Sequence, residues 1–275
     1  MNLTRTDDPL DDFDIRHVTL ADDQGEDVTR TVYMSGTGPA VIVMHEMPGI
    51  SPAVARFARW VREAGFTVYM PSLFGRDGAV PGADEGGRVF QRACIAREFN
   101  VLAGQGSSPV THWLRGLAKL AHSECGGPGV GAVGMCFTGN FALSMMLEPA
   151  MLAGVLSQPS LPLDDPATVE SMPDELAAVR ERLERDDLTV KALRFEGARF
   201  CTAARFATYA DALGERFEAT VLPDEAANDD VAPFFAAHVN APHSVLTQHL
   251  RDAEGEPTLA ARDAVIAYLG NALKT

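Results

Sequence analysis

Two short runs constrain this 275-residue chain more than any other feature: "PAVIVMHE" over 39–46 and "GVGAVGMC" over 129–136. Both are apolar at nearly every position and lack the alternation of a half-exposed strand. Runs of this kind belong to central strands of a parallel sheet, covered by helices on both faces. Each is followed by helical spacing. After the first comes "SPAVARFARWVREAGF" (51–66), with Ser51 as N-cap, Pro52 in the first turn and Gly65 at the stop. After the second comes "FTGNFALSMMLE" (137–148).

The rest of the chain keeps this alternation. Further strands are predicted over 13–22, 28–36, 67–74, 152–160, 188–197 and 216–223. Helices are predicted near 88–103, 109–123, 202–215 and 257–274, and a Gly- and Asp-rich loop over 75–87. Residues 161–187 are polar, read as an insertion, and carry a short helix in their second half. Strands alternating with helices imply a mostly parallel sheet with helices on both faces. No internal repeat or linker interrupts it, so a single domain over 1–275 is expected.

Apolar residues make up 46% of the chain, enough for a large core. The net charge of -15 argues against nucleic acid or an anionic membrane surface as partner. The N-terminal "MNLTRTDDPLDDFDIRHV" has no apolar stretch of the signal-peptide kind, and no run approaches the ~20 residues of a membrane-spanning helix. Cys94, Cys125, Cys136 and Cys201 are scattered without a CxxC pair, which predicts a reducing, cytoplasmic setting. Neither cysteines nor histidines have zinc-ligand spacing, and no metal or organic cofactor is expected.

In a parallel sheet, reactive groups collect at the carboxyl ends of the strands. Three such places carry chemistry here: "VMHEMPG", "VGMCFTG" and "NAPHSVLT" (240–247). Gly134 and Gly139 flank Cys136 as the small residues of a nucleophile elbow would, at a tight strand-to-helix turn. A helix N-terminus at Cys136 would favour thiolate. Burial as a small core residue is the other common fate of cysteine. The glycines alone leave both readings open.

"VIVMHEMPGISPAVARFARWVREAGFTVYMPSLFGRDG", "VGMCFTG" and the late "HS" together resemble the dienelactone hydrolase family, from about residue 30 onward. The resemblance implies an α/β-hydrolase fold and hydrolysis of a small-molecule ester or lactone. It assigns Cys136 as nucleophile, His243 as general base and acid, and Glu46 as the carboxylate that helps form thiolate. The backbone N–H groups of Met47 and Phe137 become the oxyanion hole. His45 and His249 are read as a strand-end residue and an exposed helical one.

Three positions depart from the family pattern. Thr138 stands where a glycine is usual. Ala198 stands near the expected triad aspartate, leaving Glu196, Asp164 or Asp165 as substitutes, with Glu196 nearest in sequence. In the serine protease template, loss of the acid costs about 10⁴-fold in rate. The stretch Ser244–Thr247 just after His243, where the family has an arginine that binds a substrate carboxylate, has none; Arg97 is the remaining candidate to face the cleft. Two functions therefore compete: a cysteine esterase, favoured by Cys136, His243 and Glu46, and a silent α/β-hydrolase scaffold that binds a small molecule or protein, favoured by Ala198.

Overall fold

The computed structural model describes residues 3–95, 99, 108–171 and 173–274. Its strands are β1 (Asp14–Ala21), β2 (Asp27–Gly36), β3 (Ala40–Met44), β4 (Thr67–Pro71), β5 (Val130–Met135), β6 (Met151–Ser157), β7 (Val190–Phe195) and β8 (Phe217–Leu222). Its helices are α1 (Pro52–Glu63), α2 (Ala83–Ile95), α3 (Pro109–Cys125), α4 (Gly139–Met145), α5 (Pro173–Arg185), α6 (Ala203–Leu213), α7 (Pro233–His238) and α8 (Pro257–Leu273).

The strands form one sheet in the order β1-β2-β4-β3-β5-β6-β7-β8. β1 and β2 are antiparallel, β2 is antiparallel to β4, and the five remaining pairs are parallel. The two all-apolar runs are β3 and β5, neighbours at the centre, and every residue in them is buried. From β3 the chain builds first to one side (β4) and then to the other (β5). The crevice at the carboxyl ends of β3 and β5 is thus the switch point where α/β sheets bind ligands.

Local chemistry explains the element ends. The Ser51 side chain accepts from the Val54 N–H at 3.3 Å, Pro52 opens α1, and Gly65 takes φ +84° past its end. Helix α2 begins at Ala83, earlier than its sequence suggests, inside the stretch expected to be loop. Gly86 and Gly87 read as loop formers, but a Cβ at Gly86 would lie 2.5 Å from Phe234 Cδ2 of α7. These glycines let two helices touch. Helix α7 itself has no counterpart in the sequence reading, because six residues are too few for a helical period to show. Arg97 and the end expected for the 88–103 helix lie outside the described residues.

Residues 161–187 form the crossover from β6 to β7 and end in α5. The loop before α5 is held by Arg205 of α6, which is fully buried. Its guanidinium donates to five carbonyls: Thr168 (2.6 Å), Pro159 (3.1 Å), Phe200 (2.7 Å), Pro162 (2.6 Å) and Asp165 (2.8 Å). One side chain thereby satisfies the backbone of an irregular segment that would otherwise bury unpaired acceptors. Arg205→Met should lower the unfolding free energy by about 3 kcal/mol, because buried carbonyls lose their donor. Urea unfolding measures this, and limited proteolysis should cut first within 158–171. An unchanged midpoint and cleavage pattern would show that the loop holds itself.

Candidate active site

Strand β5 ends in a sharp turn at Cys136, whose φ of +54° is left-handed for a residue with a side chain. Such strain persists only where the surroundings over-determine it. Here they do. A Cβ at Gly134 would lie 2.2 Å from the Thr138 carbonyl oxygen, and one at Gly139 would lie 2.8 Å from Pro159 Cα. The Thr138 hydroxyl accepts from the Met135 N–H at 2.9 Å and lies 3.2 Å from both the Met44 and His45 carbonyls. The threonine that departs from the family's glycine thus ties the end of β3 to the turn.

Residues Cys136–Thr138 form one 3-10 turn, and α4 follows with only seven residues. Helical charge at the thiol is correspondingly small. Burial, and next the charge of Glu46, push the Cys136 thiol up to about 12, against the Ser160 hydroxyl and the backbone N–H groups of Phe137 and Met47 that favour thiolate. Desolvation outweighs the donors of the turn, so the tendency toward thiolate expected from the helix start is more than offset in the resting site. The backbone N–H groups of Phe137 and Met47, expected as an oxyanion hole, favour charge on the sulfur.

Glu46 is buried at the end of β3. Its Oε2 accepts from the Ser244 hydroxyl at 2.5 Å and from Gln158 Nε2 at 3.3 Å; its Oε1 accepts from the Thr247 hydroxyl. Burial raises its pKa to about 7, with these three donors pulling the other way. The carboxylate is held by loop side chains, and it acts on Cys136 through its charge.

His243 lies in the loop before α8, 2% exposed, with Nε2 3.4 Å from the Ser160 hydroxyl. Its ring meets the edge of Phe200 at 5.8 Å. Burial, then the charges of His249 and Arg205, lower its pKa to about 3. Nδ1 is buried and has no hydrogen-bond partner among the described residues. That is where a triad acid would stand.

The expected substitutes do not reach it. Glu196, Asp164 and Asp165 are exposed, and the Asp165 carboxylate accepts from the Ala167 N–H at 3.1 Å. Glu196 lies in the turn after β7 and faces solvent. Ala198 is buried beyond β7.

His45 and His249 have structural partners. His45 Nε2 accepts from the Leu73 N–H at 3.0 Å while Nδ1 donates to the Glu46 carbonyl at 3.1 Å. His249, read from sequence as exposed and helical, is buried in the non-helical loop and accepts from the Ser244 N–H at 3.1 Å. It sits between the rings of Phe195 and Phe235, contacts that its sequence neighbours do not reveal.

Gln158, Ser160, Ser244 and Thr247 are partners that the sequence reading misses. A signal exists for two of them, since "SQPS" follows directly on a strand next to β5. In front of Cys136 and His243 lies a pocket of about 320 Å³, walled by Met47, Phe90, Leu163, Phe200, Phe234 and Val239. Gln91 and His238 are polar groups at its edge. Among the described residues, no cluster of His, Cys, Asp or Glu is placed to hold a metal ion, and no helix is long and apolar enough to cross a membrane.

Comparison with known proteins places this geometry. YghX of Escherichia coli (strain K12), named as a putative hydrolase fragment, is 41% identical over 59 residues, 22% of this chain and half the length of that relative. The dienelactone hydrolase-like promiscuous phosphotriesterase P91 from metagenomic libraries has a similar structure, with a TM-score of 0.60 and 16% identity, over 94% of this chain and 98% of that one. XC6422 of Xanthomonas campestris, described as an α/β serine hydrolase without lid, matches with a TM-score of 0.52 and 12% identity, over 95% of this chain and 96% of that one. The fold is that of the α/β-hydrolases. The model of the dienelactone hydrolase family matches residues 29–171, spanning the end of β3 and the turn at Cys136, and the chain belongs to that family.

Proposed function

We propose that this protein hydrolyses small esters or lactones through Cys136 and an acyl-thioester intermediate. The observation that carries the reading is the strained Cys136 on the same pocket wall as His243, with the Phe137 and Met47 N–H groups favouring charge on its sulfur. Sγ attacks the substrate carbonyl, and the carbonyl π pair moves onto an oxygen that the two N–H groups stabilise. His243 receives the thiol proton and returns it to the leaving oxygen. Water, deprotonated by the same imidazole, then attacks the thioester, and the carboxylic acid departs as Cys136 regains its proton.

The silent-scaffold reading rests on the unpartnered His243 Nδ1. Turnover of an aryl acetate by wild type, Cys136→Ala and His243→Ala decides between the two. The esterase reading expects loss of activity in the first variant and a fall of about 10²- to 10⁴-fold in the second. Equal rates in all three would leave the scaffold.

The pocket also sets the substrate's charge. Its wall is aromatic and aliphatic, and the stretch after His243 is engaged elsewhere, with Ser244 and Thr247 bonded to Glu46. Arg56 donates to the Thr247 carbonyl at 3.2 Å and pairs with Asp252 at 3.7 Å. A buried substrate carboxylate would thus go unpaired, at a cost of several kcal/mol. Neutral aryl or enol esters should exceed a dianionic dienelactone in kcat/KM by about 10²-fold or more. Efficient turnover of the dianion, abolished by Arg97→Ala, would place a cation in the cleft after all.

Resting protonation gives a further test. With the thiol near 12 and the imidazole near 3, iodoacetamide should modify Cys136 slowly at pH 8 and faster as pH rises toward 11. Glu46→Gln removes the charge that raises the thiol, so alkylation at pH 8 should quicken. Slower alkylation in that variant would instead assign Glu46 as the base that takes the thiol proton.

A further inference from the structure

Ser160 stands beside both the strained turn of Cys136 and the imidazole of His243. It is fully buried just beyond β6, and its backbone N–H donates to the Cys136 carbonyl at 3.0 Å, fixing it to the strained turn. Its hydroxyl is 3.4 Å from His243 Nε2 and donates to the Gln158 carbonyl at 2.8 Å. The same hydroxyl is near enough to the Cys136 sulfur to favour its thiolate form. Gln158 holds a left-handed φ of +37°, and its side chain bonds Glu46 and the Val245 N–H. The short segment 158–160 therefore touches every loop of the site, and its hydroxyl faces both reacting groups.

The unpartnered Nδ1 makes this hydroxyl more important than it would be in a complete triad. There, the acid on Nδ1 sets which nitrogen carries the proton. Here no described residue bonds Nδ1, and control of the tautomer passes to the partner of Nε2. With its proton on the Gln158 carbonyl, Ser160 offers a lone pair and favours Nε2–H, which blocks the base. Rotation about Cβ–Oγ turns the proton onto Nε2 and leaves a lone pair for the thiol.

We propose that Ser160 is a catalytic proton bridge, carrying the thiol proton of Cys136 to Nε2 of His243. The proposal rests on Cys136 and His243 being the nucleophile and base. As the S–C bond to the substrate carbonyl forms, the S–H bond breaks and its proton joins Ser160 Oγ. The original hydroxyl proton moves in the same step to Nε2, so Ser160 ends neutral and His243 ends as imidazolium. The electron pair of the S–H bond makes the new S–C bond, and the carbonyl π pair goes to the oxyanion. On collapse, the oxyanion pair re-forms the carbonyl, the C–O bond breaks with its pair on the leaving oxygen, and Nε2 gives its proton to that oxygen.

The test is single-turnover acylation of Cys136 by a neutral aryl ester, read as aryl-alcohol release in H₂O–D₂O mixtures, for wild type, Ser160→Ala, Ser160→Thr and Cys136→Ala. The bridge expects a bowed dependence of the wild-type acylation rate on deuterium fraction, because two protons move together. Ser160→Ala should acylate about 10²-fold more slowly with substrate affinity unchanged, its deuterium dependence now linear. Ser160→Thr keeps the hydroxyl and should restore both rate and curvature. Matched thermal unfolding separates a loss of chemistry from a loss of fold. Wild-type acylation rates in Ser160→Ala, or a slower rate with the curvature retained, would overturn the bridge while leaving the esterase reading intact. Persistent turnover in Cys136→Ala would overturn the esterase reading first, and the bridge with it.

Discussion

A buried carboxylate at the end of the central strand organises this site. Glu46 leaves water, and the Ser244 and Thr247 hydroxyls and the Gln158 amide supply its hydrogen bonds. A buried charge without such donors would be prohibitive. Satisfying it draws the loop after β6 and the loop bearing His243 onto the carboxyl ends of β3 and β5. The positions of the thiol, the imidazole and the Ser160 hydroxyl follow from that one requirement. Because the donors only partly offset burial, Glu46 titrates near neutrality, with its pKa at about 7. The sign is that of a raised acid: its contribution favours folding below about pH 4.5 and is lost as pH rises through 7.

The same burial governs the reacting groups. It opposes charge on the thiol and on the imidazole alike, so both rest neutral. An ion pair at rest would be costly here, and proton transfer is best timed with attack, when developing charge meets the Phe137 and Met47 N–H groups. A neutral site in an apolar pocket also suits neutral substrates. The backbone strain at Cys136 belongs to this design, since the turn that carries it brings Cys136 to the pocket wall. Arg205 completes the arrangement from behind: four carbonyl bonds hold the β6–α5 loop, a fifth ties it to Phe200, and its charge further disfavours imidazolium.

Much of the fold was legible because a parallel sheet writes itself plainly. β3 and β5 are apolar on both faces, and the helix after β3 carries its cap, its proline and its terminal glycine in view. Legibility failed where one residue type serves two purposes. Gly86 and Gly87 signal a loop by propensity, yet they lie in α2 because Phe234 and His238 need the space. His249 looked like a helical surface residue, since nothing adjacent announces that Phe195 and Phe235 will close on it.

By itself, the sequence determined the order of strands and helices, the glycines that permit a turn at Cys136, and the candidates Glu46 and His243. The elements and the turn are local properties of periodicity and backbone freedom, whereas Glu46 and His243 came from the resemblance to the dienelactone hydrolases. Only the tertiary structure decided which groups meet. It left Glu196, Asp164 and Asp165 in solvent, His243 Nδ1 without a partner among the described residues, and Ser160 between thiol and imidazole. It also decided the protonation states, because these depend on how much water the assembled loops exclude, and no short stretch of sequence carries that information.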